Sequence, residues 1–207
     1  MSTNRPFAEI ERQPLRLPAG SLRATMSLFI AALFWLFILL PEEKRIPVPL
    51  FLYFLAGMVM LFLVAFRHSE PSKSTSGPWG LPSGVFRFLL VGGTVLVIVL
   101  HVYLYGGSPL SRLVPQPEQL HQWPNLTLAL FCGLGIGWLV GRGPWRKWAV
   151  FQDIQAWVSL IAMLGLFVEV IILLFINPNL ERNPPIDLRL FETILTGVIA
   201  WYFGSRA

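Results

Sequence analysis

Six long apolar runs, separated by shorter polar segments, constrain this chain more than any other feature. A helix needs about 17–25 mostly apolar residues to cross roughly 30 Å of hydrocarbon, and the runs have lengths in or near that range. They occupy most of the 207 residues, which leaves no room for a separate soluble domain. The sequence therefore predicts an all-α fold, a polytopic integral membrane bundle of six transmembrane helices.

The predicted organisation is a polar N-terminal segment, residues 1–24, followed by a transmembrane domain over residues 25–207. The predicted spans are 25–40, 49–66, 84–105, 126–141, 148–176 and 188–204. Residues 106–125 form the longest predicted loop. Charged residues make up only 13% of the chain, against about 25% in average soluble domains, and this supports a membrane protein.

The distribution of positive charge predicts the orientation of the bundle. If the spans alternate in direction, eleven of the 16 Lys and Arg residues fall on the side of the two termini, and five fall on the other side. Cytoplasmic loops of membrane proteins carry this excess of positive charge. Both termini are therefore predicted to be cytoplasmic, with the bacterial inner (plasma) membrane as the simplest setting. The net charge of +5 follows from these loops, so no nucleic-acid partner is predicted.

The sixth predicted span has two unlike faces. One face carries small and polar residues, namely Glu192, Thr193, Thr196, Gly197, Ala200 and Gly204, and the other is bulky and apolar. Polar side chains are costly in lipid and usually face a bundle interior or a water-filled path. This face is interpreted either as the lining of a pore, with Glu192 near its outer mouth, or as a surface for close helix packing.

Two further spans carry polar side chains along one face. In the fifth, residues at helical spacing place Gln155, Ser159 and Glu169 on one side. Glu169 lies within LGLFVEVIILLF, and burial disfavours the charged form of a carboxylate, so we expect either a partner on another helix or a functional role. In the third span, Thr94 and His101 share a face, which is either functional or an ordinary packing surface.

Three ionisable side chains fall at a similar depth in the predicted bundle. At about 1.5 Å per residue, His101, Glu169 and Glu192 lie within roughly 5 Å of one level in the outer leaflet. A histidine and two carboxylates at one level could bind a cation or relay a proton. The predicted ion or proton site therefore comprises these three residues together with Thr196 and Gln155.

The fourth predicted span carries a doubled GxxxG pattern, formed by Gly133, Gly137 and Gly141. Small residues at this spacing let two membrane helices approach closely. We predict a helix-packing role for these glycines and for Gly197. The partner helix could belong to the same chain or to a second copy.

Two functions remain open after these observations. The first is a small oligomeric ion channel or transport unit, with a polar path lined by the third, fifth and sixth spans and with homo-oligomer contacts in the lipid bilayer. The alternative is a non-catalytic accessory or assembly subunit of a larger membrane complex. The sequence has no zinc-binding H-E-x-x-H, no G-x-S-x-G and no P-loop, so neither an enzyme nor a cofactor is predicted. The first two spans lack polar residues in their middles and are expected to be peripheral.

Overall fold

The computed structural model describes residues 20–41, 46–65, 79, 81, 84–108, 113–179 and 186–206. Throughout these ranges the ordered elements are helices, and there is no strand. The six long helices are α1 (Ser21–Leu39), α2 (Leu50–Ala65), α3 (Val85–Tyr105), α4 (Trp123–Gly141), α5 (Ala149–Ile171) and α6 (Arg189–Ser205). The predicted all-α class is confirmed. Residues 1–19 of the predicted N-terminal segment lie outside the described residues.

Two helical segments begin earlier in the chain than the predicted spans, before the first and before the fourth apolar run. α1 begins at Ser21, directly after Gly20, which has a left-handed φ of 79°. α4 is preceded by a 3-10 helix, Pro117–Gln122, so the second half of the predicted loop 106–125 is helical. The 3-10 helix and α4 each carry a proline at one of their first two positions, where the N–H that proline lacks would have no intrahelical partner.

The fifth predicted span is one long helix with a change of geometry near its end. α5 continues into a π-helical turn, Ile172–Ile176, and then into a final α-turn, Asn177–Asn179. The π-helix pairs each residue with the fifth residue along and occurs mostly as single turns, often at functional sites. This turn begins three residues after Glu169.

Four helical stretches are long and apolar enough to cross a membrane, as judged over the described ranges. They are Ser21–Leu39, Val85–Tyr105, Pro117–Gly141 and Ala149–Asn179. The other two long helices are shorter: the apolar stretch of α2 covers Leu50–Leu63, and α6 has 17 residues. Length and composition therefore indicate a membrane protein with four candidate spans.

Contacts at the two ends show that successive helices alternate in direction. At one end, Gln155 near the start of α5 donates to Ser205 at the end of α6. At the other end, Phe54 near the start of α2 packs edge-on against Trp123 at the start of α4, with ring centroids 6.5 Å apart. We call the end that contains Ser21 and Ser205 the terminal end, and the other the opposite end.

The closest helix pair is α4 and α6, which run parallel and make the most extensive contact between any two described helices. Three glycines of α4 lie directly against the backbone of α6, in the pairs Gly133 with Gly197, Gly137 with Trp201, and Gly141 with Ser205. A Cβ atom on Gly141 would lie 2.6 Å from the carbonyl oxygen of Ser205, which is too close for a real contact. The two backbones therefore touch with no side chain between them, as small-residue membrane helix pairs do.

The buried interior comes largely from α1, α2, α5 and α6. Met26, Ile30 and Phe37 of α1 and Phe51 and Leu55 of α2 are fully buried. The expectation that the first two spans are peripheral is therefore wrong. α3 is the peripheral helix, because its main contact is with α1 alone and most of its apolar side chains are exposed.

Replacing Gly137 by alanine should destabilise the fold, because the added methyl group meets the backbone of Trp201 and Ser205, which cannot rotate away. Overpacking of this kind costs about 1–3 kcal/mol. The matched control is Gly135→Ala, since Gly135 lies on the same helix and a Cβ there meets nothing within 4 Å. Thermal unfolding in nanodiscs should show a lower midpoint for Gly137→Ala only. Equal midpoints for the two variants would contradict the contact.

Candidate ion or proton site

Glu169 is fully buried near the end of α5 and has no hydrogen-bond partner on either carboxylate oxygen within the described part of the chain. Its helical neighbours Leu166 and Val170 are buried apolar side chains. Buried polar groups in proteins are nearly always hydrogen-bonded, and each exception requires a specific explanation. The buried carboxyl group of Glu169 is such an exception, and its presence requires an explanation.

Glu192 lies in the first turn of α6 and is 7% exposed. The side-chain amide of Gln122, in the orientation that satisfies both of its ends, donates to Oε2 of Glu192 at 2.8 Å and accepts from Nε of Arg189 at 3.3 Å. A carboxylate at a helix N-terminus also interacts favourably with the helix dipole. Unlike Glu169, Glu192 has groups around it that stabilise a negative charge.

The polar faces of α5 and α6 meet along an antiparallel contact, and this brings the two glutamates to the same end. At the terminal end, Gln155 Nε2 donates to Ser205 Oγ at 2.8 Å. In the middle, Gly165 lies against Leu195. Toward the opposite end, Glu169 follows Gly165 by one turn and Glu192 precedes Leu195 by one turn, so the two glutamates lie on facing sides of the contact. Gln155, Glu169 and Glu192 thus share one helix–helix contact, with Gln155 at the terminal end and the two glutamates at the opposite end.

Thr196, also predicted for the site, is fully buried one turn after Glu192. Its hydroxyl donates to the backbone oxygen of Glu192 at 2.8 Å. Ser159 behaves in the same way on α5, where its hydroxyl donates to the backbone oxygen of Ala156 at 2.7 Å. The proton of each hydroxyl is therefore engaged by its own helix.

His101 is placed elsewhere, on the contact between α3 and α1. Its Nδ1 lies 2.9 Å from the backbone oxygen of Ile38, so this nitrogen carries the proton and donates it. Tyr105 donates to the backbone oxygen of Leu39 at 2.9 Å. Two turns before His101 on the same face, Thr94 accepts a hydrogen bond from Trp35 Nε1 at 3.2 Å. The polar side chains of α3 therefore form hydrogen bonds with a side chain and with backbone carbonyl groups of α1.

The predicted grouping of His101 with the two glutamates is not present. No group of three or more His, Cys, Asp or Glu side chains that could hold a metal ion occurs among the described residues. The depths agreed because α1, α3 and α5 run in the same direction, but α3 packs on α1, away from the α5–α6 contact.

Sequence reasoning missed Gln122, which contacts Glu192, and Arg189, which contacts Gln122. Gln122 falls within the predicted loop, and its role depends on the 3-10 helix that leads into α4. Arg189 pairs at 3.6 Å with Asp187, and both side chains are mostly exposed. Pro117 and Pro124 could have predicted helical structure before residue 126, because proline is favoured at the start of a helix.

Comparison with protein-family models, with curated proteins and with solved structures found no match to this chain. The chemistry of the site therefore follows from its own geometry. Two buried carboxylates, one with polar partners and one without, could hold a proton or a monovalent cation between α5 and α6.

Replacing Gln122 by leucine should destabilise the protein, because Glu192 loses a donor in a nearly buried position. Loss of a hydrogen bond to a charged group costs about 1.5–3 kcal/mol. Gln116→Leu is the matched control, since Gln116 precedes the same 3-10 helix with an exposed side chain. Denaturant unfolding in detergent micelles should show the loss for Gln122→Leu only. A similar small effect for both variants would contradict the bridging role of Gln122.

Proposed function

We propose that this protein is a small membrane transport unit that moves a proton or a cation along the contact between α5 and α6. In this proposal all six helices span the bilayer, both termini are cytoplasmic, and the bacterial inner membrane is the simplest setting. The unit acts without a cofactor and without catalytic chemistry.

The alternation of helix directions supports six spans. α2 and α6 are short by composition, yet they lie parallel to α4 and antiparallel to α1 and α5 within the same bundle. At about 1.5 Å per residue, the 17 residues of α6 reach about 25 Å, close to the hydrocarbon thickness. Among the described arginines, Arg23, Arg87, Arg142 and Arg206 belong to the terminal end, and this supports a cytoplasmic position for that end.

The observation that carries the proposal is the fully buried carboxyl group of Glu169, which has no hydrogen-bond partner among the described residues and lies on the α5 face opposite Glu192. Ionisable residues inside membrane helices are expensive and usually mark ion or proton pathways. The π-helical turn that follows Glu169 supports the same interpretation, because such turns are frequent at functional sites.

The proposed path is narrower than the sequence predicted. The polar residues of α3 are engaged by α1, so α3 is not included. The remaining path comprises the facing sides of α5 and α6. A second copy of the chain, or another membrane subunit, could complete it by covering the exposed apolar side chains of α3 and α5.

An accessory subunit of a larger membrane complex remains the second candidate. It is favoured by the fact that Gln155, Thr94, His101 and Thr196 all make hydrogen bonds within the chain. Such bonds contribute on average about 0.6 kcal/mol each to helix association in membranes. This candidate explains every predicted polar residue except Glu169.

Ion flux into proteoliposomes tests the transport proposal. We expect Glu169→Gln and Glu192→Gln to reduce flux driven by a pH or cation gradient to the level of protein-free vesicles, because both remove a carboxylate from the path. Glu118→Gln is the control, since Glu118 is exposed on the 3-10 helix before α4. If the wild-type protein shows no flux, or if both variants retain it, the accessory-subunit candidate is favoured.

Thiol labelling of intact cells tests the orientation. In a Cys132→Ala background, Glu118→Cys places a thiol at the opposite end, and Trp148→Cys places one at the terminal end. Both positions are exposed. We expect an impermeant maleimide to label the first from outside and the second only after lysis. The reverse pattern would contradict cytoplasmic termini.

A further inference from the structure

We infer that the ion held between α5 and α6 is a proton, carried by the carboxyl group of Glu169 as a neutral acid, with the carboxylate of Glu192 as its acceptor on release. The transport role of this proton rests on the proposed function. The occupancy of the site by a proton rests on the geometry of the two carboxylates alone.

The surroundings of the two glutamates differ, and this difference assigns the proton. An ionised carboxylate that is fully buried with no donor faces a desolvation cost that nothing in its surroundings offsets. Glu169 is in that position as far as the described residues extend, since none of them donates to either of its carboxylate oxygens. Glu192 accepts a hydrogen bond from Gln122, and the Arg189–Asp187 ion pair lies on the same turn, so its negative charge is better compensated than that of Glu169.

The nearness of the two carboxylates strengthens the same conclusion. Two like charges in a low-dielectric site disfavour double ionisation, so such a pair tends to hold one proton. Glu169 lies one turn after Gly165, and Glu192 lies one turn before Leu195, so the antiparallel contact places the two glutamates on facing sides of α5 and α6. α5 also packs on α1, whose only described ionisable residue is Arg23. Arg23 lies at the terminal end, far from Glu169, so α1 supplies no positive charge to compensate an ionised Glu169.

A metal cation fits the site less well than a proton. Hard cations take about six or more oxygen ligands, more than the carboxyl groups of Glu169 and Glu192 supply. No third His, Cys, Asp or Glu side chain joins them in the described ranges. The Thr196 hydroxyl is directed to a backbone oxygen, and Arg189 adds positive charge beside Glu192.

The position of the pair suggests the order of proton transfer. Glu192 retains 7% exposure, whereas Glu169 has none, so Glu192 lies between Glu169 and the surface of the opposite end. On release, the O–H bond of Glu169 breaks and a new O–H bond forms on the Glu192 carboxylate. The charge thereby passes from one glutamate to the other without a net change in the pair.

Infrared spectroscopy of the purified protein in nanodiscs tests the inference directly. We expect a carboxylic-acid C=O band at neutral pH, distinct from carboxylate absorption. The band should disappear completely in Glu169→Gln and persist in Glu192→Gln and in the control Glu118→Gln. Sodium, potassium or calcium ions should leave the wild-type band unchanged.

Absence of the band from the wild-type protein at neutral pH would overturn the inference. So would its loss on addition of one of these cations, with release of a proton detected by a pH-indicator dye. Persistence of the band in a folded Glu169→Gln protein would do the same. The wild-type measurements do not require that any variant folds.

The spectroscopic result is separate from the flux result. A Glu169 band without flux would support the proton site and contradict transport. Flux of a metal cation without the band would support transport and contradict the proton. The two proposals therefore fail in distinguishable ways.

Discussion

The close parallel contact of α4 and α6 determines where the rest of the structure can be placed. In lipid there is no hydrophobic force between apolar helices, so association depends on packing at short range and on polar contacts. The α4 glycines allow the backbones to touch, and close approach also permits weak Cα–H···O contacts. α6 is short and has an arginine and a glutamate in its first turn, so it depends on this contact for a fixed position.

The position of Glu192 follows from that contact. Parallel packing places the start of α6 beside the segment that leads into α4, and Gln122 in that segment is then within hydrogen-bond distance of Glu192. α5 packs antiparallel on the other side of α6, with Gln155 at one end and Glu169 at the other. The stripe of small residues on α4 thus indirectly fixes the position of Glu192 beside Gln122, whereas Glu169 has no such partner in the part of the chain that the structure describes.

The sequence predicted the helices well, and the arrangement of the helices less well. Apolar length and proline positions are local, so five of the six predicted helix starts fall within three residues of those in the structure. Depth is also local, and His101, Glu169 and Glu192 do lie toward one end. The choice of neighbours is not local. α1 and α2 are apolar on all sides, so their patterns do not distinguish a lipid-facing side from a buried one, and their central burial could not be predicted.

Packing requirements account for most of the polar residues inside this bundle, but not for Glu169. The indole N–H of Trp35 donates to Thr94. The last carbonyl groups of α1 have no intrahelical donor, and His101 and Tyr105 donate to two of them. A leucine at position 169 would meet the packing needs of α5 equally well, and replacing buried charged groups by apolar ones is often neutral or stabilising. A carboxyl group there adds a desolvation cost to folding, and the proposed proton binding accounts for its presence.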